Sequence, residues 1–246
     1  MTVQGRSFKI AVFVHLFYTH SYVEFQSILS GLKNLDPLYL FNIGPSPEPH
    51  ALIEQIKTDF PGALVLQSPN IGKDIGGKLA LLDLYLSSGV KSDLFIFLHD
   101  KVSPQILNGE KWRNQLLKIV RTDTCAEIVN LFNQCPQLGL VGASEHLSNE
   151  YNPENRNFNS TNNLILKEYI HKFGLSLTDY TFIAGNMFWV RSRIYEDFFN
   201  KFRPLQLRAG LEKGNVTDAE TGTHTHSLER IFSWIAQSQG YQIKGV

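Results

Sequence analysis

Apolar runs rich in β-branched and aromatic residues alternate along the chain with helical stripes. Residues 9–17 (KIAVFVHLF) are apolar almost throughout, the pattern of a strand covered on both faces. Phe25, Ile28, Leu29 and Leu32 follow at i, i+3, i+4 and i+7, one face of a helix. Residues 38–43 predict a second strand, and the Pro-rich piece 45–49 ends it and opens a helix carrying Leu52, Ile53 and Ile56. Residues 63–67 predict a third strand. A glycine-rich turn then leads into a helix with Leu79, Leu82 and Leu86, and residues 94–98 (LFIFL) predict a fourth strand. The order β-α-β-α-β-α-β predicts a mostly parallel sheet with helices on both faces. In open sheets of this kind ligands bind beyond the carboxyl ends of the strands. The residues just after each strand are therefore the ones to inspect for chemistry.

The second half is less regular. Trp112, Leu116, Ile119 and Val120 mark a helix, and residues 138–141 a short strand. Residues 144–163 are polar and Asn-rich, a loop placed to cover a site. Leu166, Tyr169, Ile170 and Phe173 form a helical stripe that Gly174 is positioned to cap. Residues 181–190 (TFIAGNMFWV) predict a strand with a glycine interruption. Tyr195, Phe198, Phe199 and Phe202 form another helix face, and residues 203–227 read as a loop. Leu228, Ile231, Phe232 and Ile235 predict the last helix, closed by Gly240, and residues 241–246 a final strand.

At 246 residues, length alone fits one large domain or two small ones. An apolar share of 43% is enough for a sizeable core. Lys plus Arg and Asp plus Glu both number 23, so there is no basic excess for gripping a phosphate backbone, and nucleic acid is not an expected partner. No apolar run approaches the roughly 20 residues that span a bilayer. The first nine residues are polar and His15 breaks the apolar stretch after them, which does not read as a signal peptide. A cytoplasmic protein is expected. Cys125 and Cys135 make neither a disulfide framework nor a zinc site and read as ordinary thiols.

Four segments carry candidate chemistry. The turn Asn70-Ile71-Gly72-Lys73-Asp74-Ile75-Gly76-Gly77-Lys78 opens a helix, where backbone N–H groups favour an anion. It nearly matches a P-loop, but Leu79 stands where a Mg²⁺-binding Ser or Thr belongs. A tight turn that needs glycine is the plain alternative. His99-Asp100-Lys101 directly follows the fourth strand. In residues 185–191 (GNMFWVR) the aromatics belong to the core, and Asn186 and Arg191 are the members expected to be exposed. His224-Thr225-His226 precedes Glu229 and Arg230, read as near the start of the last helix. Two histidines at i, i+2 would share a metal only from an extended segment, with a further ligand such as Asp100.

Taken in order, seven stretches resemble the rhamnan synthesis protein F family, glycosyltransferases of polysaccharide assembly. They are IAVFVHLFY, the NIGKDIG turn, FLHDK, the Trp112-Arg113 pair, GLVG at 139–142, GNMFWVR and HSLER. The layout is similar, more distantly, to inverting transferases of the GT-A fold. Those carry an N-x-G turn after the third strand, a D-x-D after the fourth, and an acidic base near the start of a late helix ending in Gly-Tyr. Asn70-Gly72, Asp100, Glu229 and Gly240-Tyr241 fall in the matching places. The D-x-D position reads His99-Asp100-Lys101, with one carboxylate instead of two.

The resemblance implies a single GT-A-like, Rossmann-like α/β domain over residues 1–246, with a nucleotide-sugar half (1–103) and an acceptor-side half (104–246). It implies Glu229 as catalytic base. His15, Tyr18, Asn70, Gly72, Asp74, His99, Asp100, Lys101 and Arg230 would bind the donor, and Asn186, Trp189 and Arg191 would lie on the acceptor side. Asp100 and His226 would hold Mn²⁺ or Mg²⁺, or Lys101 would neutralise the leaving diphosphate without a metal. The implied donor is a nucleoside-diphosphate sugar, deoxythymidine-diphosphate rhamnose. The implied acceptor is a growing glycan, on a lipid carrier at the inner membrane face that the chain would touch peripherally. A non-catalytic carbohydrate- or nucleotide-binding module of the same fold is the alternative, and it would not need an acid at position 229. A P-loop-like nucleotide hydrolase depending on Lys78 is the third reading.

Overall fold

The computed structural model describes residues 7–46, 49–100 and 109–246. Strands β1 (Ser7–Leu16), β2 (Leu38–Ile43), β3 (Leu64–Gln67) and β4 (Lys91–His99) alternate with helices α1 (Tyr22–Ser30), α2 (Pro49–Asp59) and α3 (Lys73–Ser88). Helices α4 (Gly109–Leu116) and α5 (Thr122–Gln134) follow, joined by a 3₁₀ turn at Leu117–Val120, and then β5 (Leu138–Gly142). Short strands β6 (Leu147–Ser148), β7 (Tyr151–Asn152) and β8 (Asn157–Phe158) lead to α6 (Asn163–Phe173) and β9 (Phe182–Ile183). The chain ends with β10 (Phe188–Arg191), α7 (Ser192–Lys201), α8 (Pro204–Ala209), α9 (His224–Ser238) and β11 (Gln242–Gly245).

Seven strands form one sheet in the order β11-β5-β10-β4-β1-β2-β3. All neighbours are parallel except β10, which runs antiparallel to both β4 and β5. Phe188 at its start pairs with Phe97 and Gly142, so the loop before β10 arrives at the carboxyl ends of β4 and β5. The expected α/β architecture, a mostly parallel sheet flanked by helices, is the observed one.

Strand alternation divides the core into two layers. Ala11, Phe13, Phe95, Phe97, Phe188 and Val190 face α3, α6, α7 and α9. Ile10, Val12, Val14, Leu94, Ile96, Leu98 and Trp189 face α1, α2, α4 and α5. Phe13 packs 4.7 Å from Phe97 and 4.8 Å from Phe95, centroid to centroid. All three are fully buried, each worth about 1.5–3 kcal/mol of transfer free energy.

Three expectations need correction. Residues 203–227 are not one loop: α8 opens on Pro204, whose fixed φ suits a first helical turn. The last helix begins at His224, because the Thr223 side chain accepts the His226 N–H at 3.2 Å and caps it there. Residues 181–190 divide into β9 and β10. Gly185 (φ +77°) and Asn186 (φ +53°) turn the chain between them, and β9 pairs with β6 outside the main sheet.

Candidate active site

The glycine-rich turn after β3 packs closely against the segment that follows α8. Gly72 has φ +72°, and a Cβ there would sit 2.2 Å from Leu211 Cδ1. Its N–H donates to the Glu212 carbonyl at 2.8 Å, and the Gly214 N–H donates to the Asn70 carbonyl at 3.0 Å. The Asn70 amide donates to Asn215 Oδ1 at 3.0 Å. Asn70 and Gly72 are thus tied to the segment after α8. Arg208 of α8 clamps the same turn through the carbonyls of Gly76 (3.0 Å) and Pro69 (2.7 Å). A Cβ on Gly77 would lie 2.3 Å from His15 Nδ1, so glycine lets α3 settle onto that ring.

His15, at the end of β1, is 6% exposed, and Asn42 of β2 donates to its Nδ1 at 2.9 Å. Burial pushes its imidazole down to about 4, against the pull of Asp74. The folded protein therefore binds fewer protons here than the unfolded chain between about pH 4 and 6.5. His15 contributes stability that is complete above about pH 6.5 and is lost as pH falls through 4. Urea unfolding at pH 7 and pH 4.5 should show the protein losing about 2 kcal/mol more than His15→Gln on acidification. Equal losses would mean the ring titrates normally. The Asp100 carboxyl, pushed up to about 6 by burial, acts with the opposite sign in both proteins and cancels in the comparison.

A buried cation lies next to this ring. Lys78 of α3 is fully buried, with Nζ 3.0 Å from Asp74 Oδ2, 2.6 Å from the Asn186 carbonyl and 3.2 Å from His99 Nδ1. An ammonium offers donors only, so all three atoms accept from it. Asp74 and His99, expected at the donor, are joined to each other through this lysine. Asn186, expected to be exposed, is 1% exposed and holds a left-handed backbone. Its carboxamide has no hydrogen-bond partner among the described residues.

Asp100 is also 7% exposed, and its two oxygens accept the N–H groups of Phe17 (2.8 Å) and Tyr18 (2.5 Å). Its own N–H donates to the His15 carbonyl at 3.0 Å. The carboxylate pins the corner after β1 and leaves Tyr18 half-buried at the edge. Lys101 lies outside the described residues.

The two expected metal ligands are not brought together with a third His, Cys, Asp or Glu among the described residues. Each Asp100 oxygen accepts one backbone amide, and His226 lies in the first turn of α9, not on an extended segment. Its Nδ1 is 2.6 Å from Thr223 Oγ1, and its Nε2 is 3.5 Å from Lys73 Nζ and 3.9 Å from Asp218 Oδ1. Two residues along a helix turn the side chains about 200° apart, and His224 instead meets the Tyr169 hydroxyl at 3.0 Å. Among the described residues no three of His, Cys, Asp and Glu come together as a metal site.

Glu229 lies in the second turn of α9, further in than expected. Its Oε1 accepts the Gly185 N–H at 2.6 Å and its Oε2 accepts from Arg230 Nη1 at 3.0 Å. Arg230 also donates to the His226 carbonyl at 2.9 Å, pairs with Glu150, and lies 4.8 Å over the Phe182 ring. It ties the Asn-rich loop to α9. The turn at 185–186 is gripped from both sides: Lys78 holds the Asn186 carbonyl and Glu229 holds the Gly185 amide.

Two residues expected on the acceptor side are placed elsewhere. Trp189 is fully buried, and its Nε1 donates to the Ile119 carbonyl at 3.0 Å. Arg191 closes β10 at the amino ends of β4 and β5, where its guanidinium donates to the carbonyls of Leu138, Phe132 and Cys135 at 2.7–2.9 Å. Strand alternation and the reversed direction of β10 account for both. In their place a groove of about 460 Å³ opens beside Ala184, with Trp112 and His146 in its wall. His146 carried no motif, and Trp112 stood out only through the resemblance.

No curated protein matches the chain. Among solved structures, the mannosyltransferase Ktr4p from S. cerevisiae aligns over 99% of this chain and 70% of its own, at 11% identity and a TM-score of 0.42. The same protein in complex with GDP aligns over 96% and 69%, at 12% identity and a TM-score of 0.37. Both likenesses are loose. No helix among the described residues is long and apolar enough to cross a membrane. The family described as rhamnan synthesis protein F matches residues 2–241, nearly the whole chain, and the protein belongs to that family.

Proposed function

We propose that the protein is a glycosyltransferase that moves rhamnose from a nucleoside diphosphate to a growing polysaccharide, with inversion. The observation that carries this reading is Glu229. Its carboxylate stands at the carboxyl edge of the sheet, fixed by the Gly185 amide and Arg230, and its side chain remains 19% exposed. Each oxygen spends one interaction on the protein, which leaves acceptor capacity for a substrate proton. Family membership supports a role in rhamnan synthesis.

In the reaction, Glu229 takes the proton of the acceptor hydroxyl as that oxygen attacks the anomeric carbon. The bond from that carbon to the diphosphate oxygen breaks, and its electron pair leaves with the diphosphate. One base and one displacement give inversion. The departing charge needs positive potential, the largest electrostatic demand of the step. We assign this to Lys73, the first residue of α3, whose ammonium donates to the Val216 carbonyl at 3.2 Å and lies 3.5 Å from His226 Nε2 of α9. Acceptance of the sugar by a lipid-linked glycan at a membrane face belongs to the same reading.

A thermal-shift series with the diphosphates of deoxythymidine, uridine and guanosine, each with and without Mn²⁺, tests this. At 100 times its Kd the cognate diphosphate should stabilise the fold by about 2.7 kcal/mol. We expect a raised melting temperature with deoxythymidine diphosphate in the absence of Mn²⁺. No shift with any diphosphate, with or without metal, would overturn the transferase reading in favour of a glycan-binding module.

A further inference from the structure

We propose that the groove walled by Trp112, His146 and Leu147 is a neutral-saccharide subsite that seats the acceptor glycan. This rests on the transferase reading for its role, though not for its existence. The Trp112 and His146 rings lie 5.6 Å apart and 15° from parallel, one from α4 and one from the short turn after β5. The two half-buried rings stack on each other, and the surface they leave outward suits the C–H faces of a pyranose, since such side chains present an apolar body beside polar tips.

The neighbouring wall is built firmly. The Ala184 N–H donates to the His146 carbonyl at 2.8 Å, and Leu147 pairs with Ile183 across β6 and β9. Leu147 nonetheless stays 36% exposed. It supplies apolar surface suited to the methyl group of a 6-deoxy sugar.

The polar side chains around the groove include Lys111, Gln115, Glu145 and Ser148. One cation and one anion among them leave no net charge to draw a phosphate, while amide, hydroxyl and carboxylate groups suit sugar hydroxyls. The volume of about 460 Å³ falls within the range of small-ligand sites. The position decides the role. Ala184 lines the groove, and the next residue, Gly185, holds the Glu229 carboxylate. A glycan seated here ends its chain next to the base.

Binding of a rhamnose trisaccharide, followed by saturation-transfer NMR and titration on the full chain, separates this inference from the catalytic one. We expect the trisaccharide to bind the native protein and Glu229→Gln equally, and to bind Trp112→Ala at least 10-fold more weakly. Leu147→Ser, at an exposed side chain, should weaken it in the same direction without disturbing the core. In the transfer assay both groove variants should raise the acceptor KM and leave the donor KM unchanged. Undiminished binding to both groove variants, or no binding to the native protein, would overturn the subsite. Trisaccharide binding that depends on Trp112, in a protein with no transferase activity, would keep the subsite and discard the transferase reading.

Discussion

Glu229→Gln should lower kcat by at least about 100-fold while the protein remains folded, the usual worth of a general base. Glutamine keeps an oxygen for the Gly185 amide, so the turn at 185–186 stays in place. It loses the ion pair to Arg230, but that guanidinium retains Glu150 and the His226 carbonyl. The substitution thus removes the proton acceptor and little else. The measurement pairs a thermal melt with kcat and donor KM. A drop in kcat at unchanged donor KM assigns the proton to Glu229. Near-native turnover would take this residue out of the mechanism.

Lys78→Met should destabilise the fold by about 3 kcal/mol, the low end for breaking a buried ion pair, because the Asp74 side chain is 24% exposed and water screens it. Methionine matches the lysine stem in length and flexibility, so packing changes little. The loss is the ammonium that Asp74, His99 and the Asn186 carbonyl share. Urea denaturation would show a lower midpoint at unchanged slope. The turn that carries the Gly185 amide loses one of its two anchors, so kcat should fall as well. Native stability in this variant would show that the ammonium does not organise the cluster.

Much of the first 100 residues was legible because hydrophobic pattern and burial coincide there. The run at residues 9–17 anticipated β1 and the run at 94–98 anticipated β4, both central and covered on two faces. The run at 63–67 gave β3 its place but not its exposure: it is an edge strand, half-buried on average. Helix α5 escaped notice, although Cys125, Ile128 and Phe132 form a buried stripe at i, i+3 and i+7. A cysteine and a threonine-rich start hid that signal. The site was legible as a set of strand ends, and less so as a set of roles. His99, Asp100 and Asp74 stood out as charge near a ligand, yet each has protein partners that only tertiary packing reveals. Nothing in the sequence shows that β10 is reversed. That reversal carries Arg191 to the opposite end of the strands, and alternation turns Trp189 into the core.

The antiparallel placement of β10 has a consequence for how the chain acquires its structure. β10 lies between β4 and β5, and its pairing of Phe188 with Phe97 joins residues 91 positions apart in the chain. Until residues 188–191 leave the ribosome, the inner edges of β4 and β5 have no partner, and both are apolar, open edges of the kind that recruit other chains. Long-range pairing of this sort is slow because the intervening loop must close first. A nascent chain stalled near residue 180 would therefore be the species most prone to self-association, and insertion of β10 would end that exposure in the same step that delivers Gly185 to Glu229.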